Sequence, residues 1–172
     1  MPLILQVSQI ETMTAQAVEC YPEECCGLLL GTLTPASDRR HVYEVQPLSN
    51  DWTPAVNPFA EADGGESLVS KGNRFWIDPQ ALLTAQRYGR DRGWIILGVY
   101  HSHPDHPAVP SERDRQLAWS GYSYPILAVV AGQVTALTSW QLGADGQFVQ
   151  EAVVRVPCAA LAPGLNGKNY QP

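Results

Sequence analysis

No run of about 20 apolar residues occurs in this chain, so no segment reads as a transmembrane helix. The opening stretch from Met1 to Met13 has no basic residues ahead of its short apolar run, which argues against a secretory signal. No Cys-x-x-Cys pair is present, so neither a zinc knuckle nor a thioredoxin-type redox site is indicated. The four cysteines, Cys20, Cys25, Cys26 and Cys158, are expected to be reduced and mostly buried, as in a cytoplasmic protein. Basic residues are in deficit. Eleven Lys and Arg against 17 Asp and Glu give a net charge of −6, which repels phosphate backbones and makes nucleic acid a poor partner. No internal repeat is visible. With 45% hydrophobic and 16% charged residues over 172 positions, the chain reads as one globular domain with a sizeable core.

Periodicity assigns the elements. Residues 3–7 read as a short strand. From Ser8, apolar positions Ile10, Met13, Ala17 and Cys20 recur at helical spacing. Ser8 and Glu11 have the spacing of a capping box, and Pro22 marks the helix end. The apolar run 25–33 suits a strand buried on both faces, followed by a strand at 41–48. Residues 49–74 carry Pro54, Pro58, Gly64, Gly65 and Gly72. That is long for a connection in a compact domain, so a binding loop is one expectation and a structureless insertion the other. Asp78 followed by Pro79 should start a helix running to about Arg92. A central strand is expected at 94–102 and a short helix at 111–120. Strands at 125–131, 134–141 and 147–156 should form an antiparallel meander. The domain is expected to span 1–156, with a loosely held tail at 157–172. The fold class is α/β (α+β), a mixed sheet with helices.

One stretch carries chemistry. His101 and His103 are two apart at a strand end, so both imidazoles share one face, and Pro104 stops the strand beside them. Ser111 and Asp114 are three apart, on one side of a helical first turn. Only seven residues separate His103 from Ser111, so the two groups can meet. Two imidazoles and a carboxylate leave a fourth zinc position open, as catalytic rather than structural sites do. Ser111 and Asp114 also fit a helix-capping box, and that alternative stays open. His106 is expected to lie in the loop without binding metal, and His41 on a strand surface.

The pattern His101-x-His103-Pro104, seven residues, Ser111, two residues, Asp114 resembles the JAMM motif of the MPN-plus metallopeptidases. That family places a glutamate three residues before a glycine on its first long strand, and Glu24-Cys25-Cys26-Gly27 matches. Glu23 is a rival that the glycine offset disfavours. The resemblance covers most of residues 1–156. It implies a cytidine-deaminase-like curved sheet between helices. It also implies one zinc ion on His101, His103 and Asp114, proton transfer by Glu24, and oxyanion stabilisation by Ser111. Deamination itself is set aside, because the chain lacks the His-x-Glu and Pro-Cys-x-x-Cys of zinc deaminases. Small members of this kind cleave after the C-terminal Gly-Gly of ubiquitin-like or sulfur-carrier proteins, with cysteine, a short peptide or a lysine side chain as leaving group. The alternative is a non-catalytic MPN-type scaffold or binding module. Nothing in the pattern fixes an oligomeric state.

Overall fold

The computed structural model describes residues 1–34, 39–58 and 69–158. Strand β1 (Leu3–Gln6) runs directly into helix α1 (Val7–Cys20), and β2 (Cys26–Thr34) and β3 (Arg39–Leu48) form an antiparallel pair. A 3₁₀ turn (Pro54–Val56) lies in the long connection to α2 (Pro79–Arg90). Then come β4 (Ile95–Pro104), α3 (Glu112–Leu117), β5 (Ser123–Val130), β6 (Gln133–Leu142), β7 (Phe148–Glu151) and β8 (Val153–Val156). Within 49–74, residues 59–68 lie outside the described residues, as does all of the 157–172 tail beyond Cys158.

The helix α1 begins one residue earlier than its spacing predicts, and a different pair caps it. Gln6 is the last extended residue (φ −73°, ψ 151°), and its N–H donates to Gln9 Oε1 at 2.8 Å. Strand passes into helix with no linker, so Ser8 is already helical and its carbonyl accepts from Thr12 Oγ1. The Ser8–Glu11 box therefore does not form. At α2 the expected cap is present: Asp78 Oδ1 accepts from Gln80 N at 2.9 Å, with Pro79 in the first helical position.

Among the described residues the strands form one mixed sheet in the order β7-β6-β5-β4-β2-β3-β1-β8. Its central strands β2, β4 and β5 are largely apolar on both faces because both are covered. Helix α1 packs across β1, β3, β5 and β6, burying Met13 and Ala17 against Leu29, Val42, Tyr100 and Leu127. Helix α2 covers β2 and β4 from the other side, with Ala85 against Leu28, Leu30, Ile96 and Val99. A bulge in β4 at Leu97 resets the alternation, since Leu29 pairs Gly98 and Leu30 pairs Ile96. Beyond it Tyr100 faces α1, and Val99 faces α2. Gly27 makes room for Tyr100: a Cβ there would lie 2.5 Å from that ring.

The 147–156 segment is two strands, not one. Ala152 separates β7, which pairs antiparallel with β6, from β8, which pairs parallel with β1. Because β7 and β8 stand at opposite ends of the strand order yet one residue apart in sequence, the sheet curls until its edges nearly meet. The Ala152 carbonyl accepts from Leu3 N at 2.9 Å across this seam. A buried polar cluster sits beside it. Arg40 Nη1 donates to Ser123 Oγ at 2.8 Å, Ser139 Oγ donates to Glu151 Oε1 at 2.6 Å, and Gln141 Nε2 donates to Glu151 Oε2. Burial raises the Glu151 pKa, while the serine and glutamine hydrogen bonds and the Arg40 charge oppose it. Replacing Glu151 with Ala takes the buried acceptor from Ser139 and Gln141 and removes the charge that faces Arg40. It is expected to destabilise the fold by about 3 kcal/mol, measured by urea denaturation, against under about 1 kcal/mol for an exposed acid such as Glu11.

Candidate metal centre and its surroundings

The site is built on the last turn of the β4 alternation. His101 pairs with Cys26 on one side and Ile126 on the other, and His103 pairs with Ala128, so both rings ride on an interior strand. His101 Nε2 and His103 Nε2 lie 3.0 Å apart. Asp114 closes the triangle, with Oδ1 3.3 Å from His101 Nε2 and Oδ2 3.6 Å from His103 Nε2. All three residues are at most 12% exposed in their side chains.

The tautomer of His103 follows from its partner. Its Nδ1 lies 2.9 Å from the Pro107 carbonyl, which can only accept, so Nδ1 carries a proton and Nε2 is the nitrogen turned to the cluster. The loop bearing that carbonyl is pinned at both ends. Asp105 (φ 55°) accepts from Tyr21 Oη at 2.8 Å and from Ala131 N at 3.1 Å, and its own N–H donates to the Val129 carbonyl. Ala108 O accepts from Thr138 Oγ1 and Trp140 Nε1. His101 is held differently: its Nδ1 is buried with no partner among the described residues, and Phe75 stacks on the ring at 4.7 Å and 27°.

Ser111 and Asp114 form the capping box of α3: Asp114 Oδ2 accepts from Ser111 N at 2.6 Å, and Ser111 Oγ accepts from Asp114 N at 3.2 Å. Capping and ligand presentation are thus one arrangement rather than alternatives, because the box turns the carboxylate toward the imidazoles. Ser111 Oγ accepts there and keeps one O–H to donate.

The donor set fits a zinc ion. Two imidazole nitrogens 3.0 Å apart, each also facing the Asp114 carboxylate, need a proton or a cation between them. Zinc–ligand bonds of about 2.0–2.1 Å in a tetrahedron separate donor atoms by about 3.3 Å, close to the three spacings seen. Burial lowers the His101 pKa despite Asp114, so this imidazole is neutral, as a ligand must be. Burial also acts on His103, but hydrogen bonding and charge from Asp114 and the Pro107 carbonyl outweigh it and raise that pKa. Burial alone would raise Asp114. The His101 charge interaction and the hydrogen bonds from His101, His103 and Ser111 reverse this and hold it well below the usual carboxylate range. Cys25 and Cys26 are also buried, and burial pushes their thiols up (Cys25 to about 12), so they remain protonated and poor ligands. His106 is exposed, outside the cluster.

Glu24 precedes β2 and is 7% exposed, while Glu23 lies on the surface. Burial raises the Glu24 pKa to about 8; His103 and Arg74 pull it down and Asp114 pushes it up. Its backbone is tied at both ends, with Glu24 N donating to Lys71 O at 2.7 Å and Glu24 O accepting from Asn50 Nδ2 at 3.0 Å. Asn50 is a hub that the sequence does not reveal. Its Nδ2 also donates to Arg74 O at 2.8 Å, and its Oδ1 accepts from Trp52 N and Trp76 N. All four hydrogen-bonding positions of the amide are filled, and the segment it grips carries Phe75. Asn50 therefore joins the backbone of Glu24 to the ring that orients His101.

A folded-state pKa near 8 sets a sign for stability. The protonated form of Glu24 is compatible with burial, so its contribution is full below the unfolded value of about 4.5 and is lost as pH rises toward 8. In chelator-treated protein, Glu24→Gln should match wild type near pH 4.5. It should become more stable with rising pH, by up to about 5 kcal/mol near pH 8.5 at about 1.4 kcal/mol per pKa unit. Urea midpoints at the two pH values test this, and a pH-independent offset would contradict it.

Known proteins place the chain. The desampylase of Haloferax volcanii is 32% identical over 116 residues, covering 67% of this chain and 68% of that protein. A Thermus thermophilus protein described as a probable TtuB-protein conjugate cleaving protease is 33% identical over 120 residues, covering 68% and 66%. The chain thus spans about two thirds of the length of these curated relatives. The solution structure of a Desulfitobacterium hafniense protein superimposes with a TM-score of 0.70 at 32% identity, covering 90% of this chain and 93% of that one. With residues 6–143 matching its family-wide pattern, the chain belongs to the prokaryotic homologs of the JAB domain.

Proposed function

We propose that this protein is a zinc-dependent peptidase or isopeptidase that hydrolyses the bond after the C-terminal Gly-Gly of a ubiquitin-like or sulfur-carrier protein. The observation that carries the reading is the convergence of two imidazole nitrogens and one carboxylate, buried together, with a high-pKa carboxyl beside them. The names of the two relatives, a desampylase and a conjugate-cleaving protease, support the substrate class.

His101, His103 and Asp114 would hold the zinc, which supplies Lewis acidity and a water acidic enough to lose a proton near neutral pH. Glu24 takes that proton on its carboxylate. Burial makes this carboxyl a stronger base than an ordinary glutamate, and the protonated Glu24 would deliver its proton to the leaving amine. Ser111 would donate a hydrogen bond to the substrate carbonyl oxygen as negative charge develops there. Asn50 keeps Glu24 in register with the ligand strand. Two glycines before the scissile bond let the substrate backbone approach closely, since neither carries a Cβ. The converged donor set gives the non-catalytic scaffold no support.

Purified without chelator, wild type is expected to carry about one zinc per chain by elemental analysis, and His103→Ala little. Glu24→Gln should retain zinc yet cleave Gly-Gly-linked fusions at least about 100-fold more slowly. Changing the terminal glycine of the carrier to alanine should cost a similar factor. Efficient trimming of unrelated peptides with Gly-Gly linkages left intact would refute the substrate class. Absence of metal in wild type even after zinc is added back would refute the enzyme.

A further inference from the structure

The backbone on either side of Glu24 is held outside the regular sheet ladder. The register of β2 with β4 ends where Cys26 pairs with His101. One step further, Ser102 N still donates to Cys25 O at 3.1 Å, but the return bond is changed. In a regular antiparallel pair Cys25 N would donate to the Ser102 carbonyl. Here it donates to Ser102 Oγ at 2.8 Å. Cys25 and Ser102 are both fully buried, so this N–H needs an acceptor, and the hydroxyl supplies one as the chain leaves the sheet.

The bond acts on a single peptide unit. The N–H of Cys25 and the C=O of Glu24 lie in one plane. Ser102 Oγ holds the N–H of that plane, and Asn50 Nδ2 donates to its C=O at 3.0 Å. The plane before Glu24 is held as well, its N–H donating to Lys71 O at 2.7 Å. With both planes fixed, the two soft dihedrals of Glu24 are fixed, and so is the direction in which its side chain leaves the backbone. That direction brings the carboxyl to the cluster, where His103 and Asp114 act on it. Of the three holds, only Ser102 comes from the strand that carries the imidazoles. Lys71 and Asn50 belong to the long connection between β3 and α2. Ser102 stands between His101 and His103, so alternation turns its hydroxyl away from the rings, to the face where Tyr100 and Cys25 are packed.

Resting on the peptidase reading above, we infer that Ser102 is a positioning residue for the reaction, which registers the Glu24 carboxyl to the two imidazoles through the Glu24–Cys25 peptide. A displacement of β4 carries both rings and Ser102 together, and the hydrogen bond makes Glu24 follow. Proton transfer requires this, because the carboxyl must stay within hydrogen-bond reach of the proton it takes and of the leaving amine. A misplacement of about 1 Å can cost about 100-fold in rate. A serine that only satisfied a buried N–H would matter for stability, but its effect on rate would not depend on Glu24.

The test is a double-mutant cycle on the full chain, with Gly-Gly-linked fusions as substrate. Ser102→Ala should lower kcat by about 10- to 100-fold with KM within about twofold. Its zinc dissociation constant, read by chelator competition, should stay within about threefold of wild type, since neither ligand ring is touched. In the Glu24→Gln background, followed by single turnover, the same substitution should cost less than about twofold. Ser102→Thr keeps the acceptor and should hold kcat within about threefold of wild type. Ser102→Cys fills the space with a weak acceptor and should behave as Ala does, so it stands in where the Ala variant does not fold. An unchanged kcat in Ser102→Ala would overturn the inference. So would an equal loss in both backgrounds, a parallel loss of zinc, or a Thr variant as slow as Ala. Hydrogen exchange of the Cys25 amide, taken relative to that of Leu29, reads the link without turnover. It should be at least about tenfold faster in Ser102→Ala and unchanged in Ser102→Thr. Unaltered exchange in Ser102→Ala would also overturn the inference. A wild type that leaves every Gly-Gly linkage intact removes the peptidase reading, and the exchange pattern then decides the Ser102 link by itself.

Discussion

Two imidazole nitrogens 3.0 Å apart at the end of an interior strand are an arrangement that a polypeptide does not hold without help. The surrounding structure supplies that help from several directions. The Pro107 carbonyl fixes one ring, and the Asp105 loop contacts fix that carbonyl. The Phe75 ring stacks on the other, and Asn50 grips the segment that bears it. The α3 capping box aims the carboxylate at both. Removing any one contact loosens a donor atom by a fraction of an ångström, which matters in a site whose chemistry depends on fixed geometry.

The same arrangement sets stability against function. Glu24 sits where water is scarce, and its ionised form is disfavoured there. The cost falls on the fold, while the benefit is a carboxyl that can both accept and release a proton near neutral pH. The fold tolerates this because its main cores lie elsewhere, between α1 and one face of the sheet and between α2 and the other. The buried groups of the candidate centre are thus gathered at the ends of β2 and β4, apart from these cores.

Much of this was legible in the sequence where the governing interaction is local. The two-residue spacing of His101 and His103 put both rings on one face, and the three-residue spacing of Ser111 and Asp114 gave both a cap and a converging carboxylate. Asp78-Pro79 likewise read correctly as a helix start. Local pattern failed where tertiary contacts decide. Ser8 looked like a cap, but pairing of β1 holds the chain extended only as far as Gln6, and the helix starts at once. Residues 147–156 read as a single strand because alternation does not record that Ala152 lies on a seam. Asn50, Phe75, Arg40 and Glu151 carried no signal at all, since each acts on partners more than 20 residues away or, for Glu151, through contacts hidden inside the curled sheet.

The seam has a consequence for how the molecule comes into being. Residues 3–6 are made long before one of their two strand partners, 153–156, which follows about 150 positions later. Strand β4, which carries His101 and His103, can pair with β2 and β5 while the remainder of the chain is still being made. Until β8 emerges, β1 keeps one ladder of N–H and C=O groups unpaired, the kind of edge that recruits other chains. Pairing at such separation is slow. The last strand of the sheet therefore closes the ladder that the first leaves open, although it carries none of the candidate ligands.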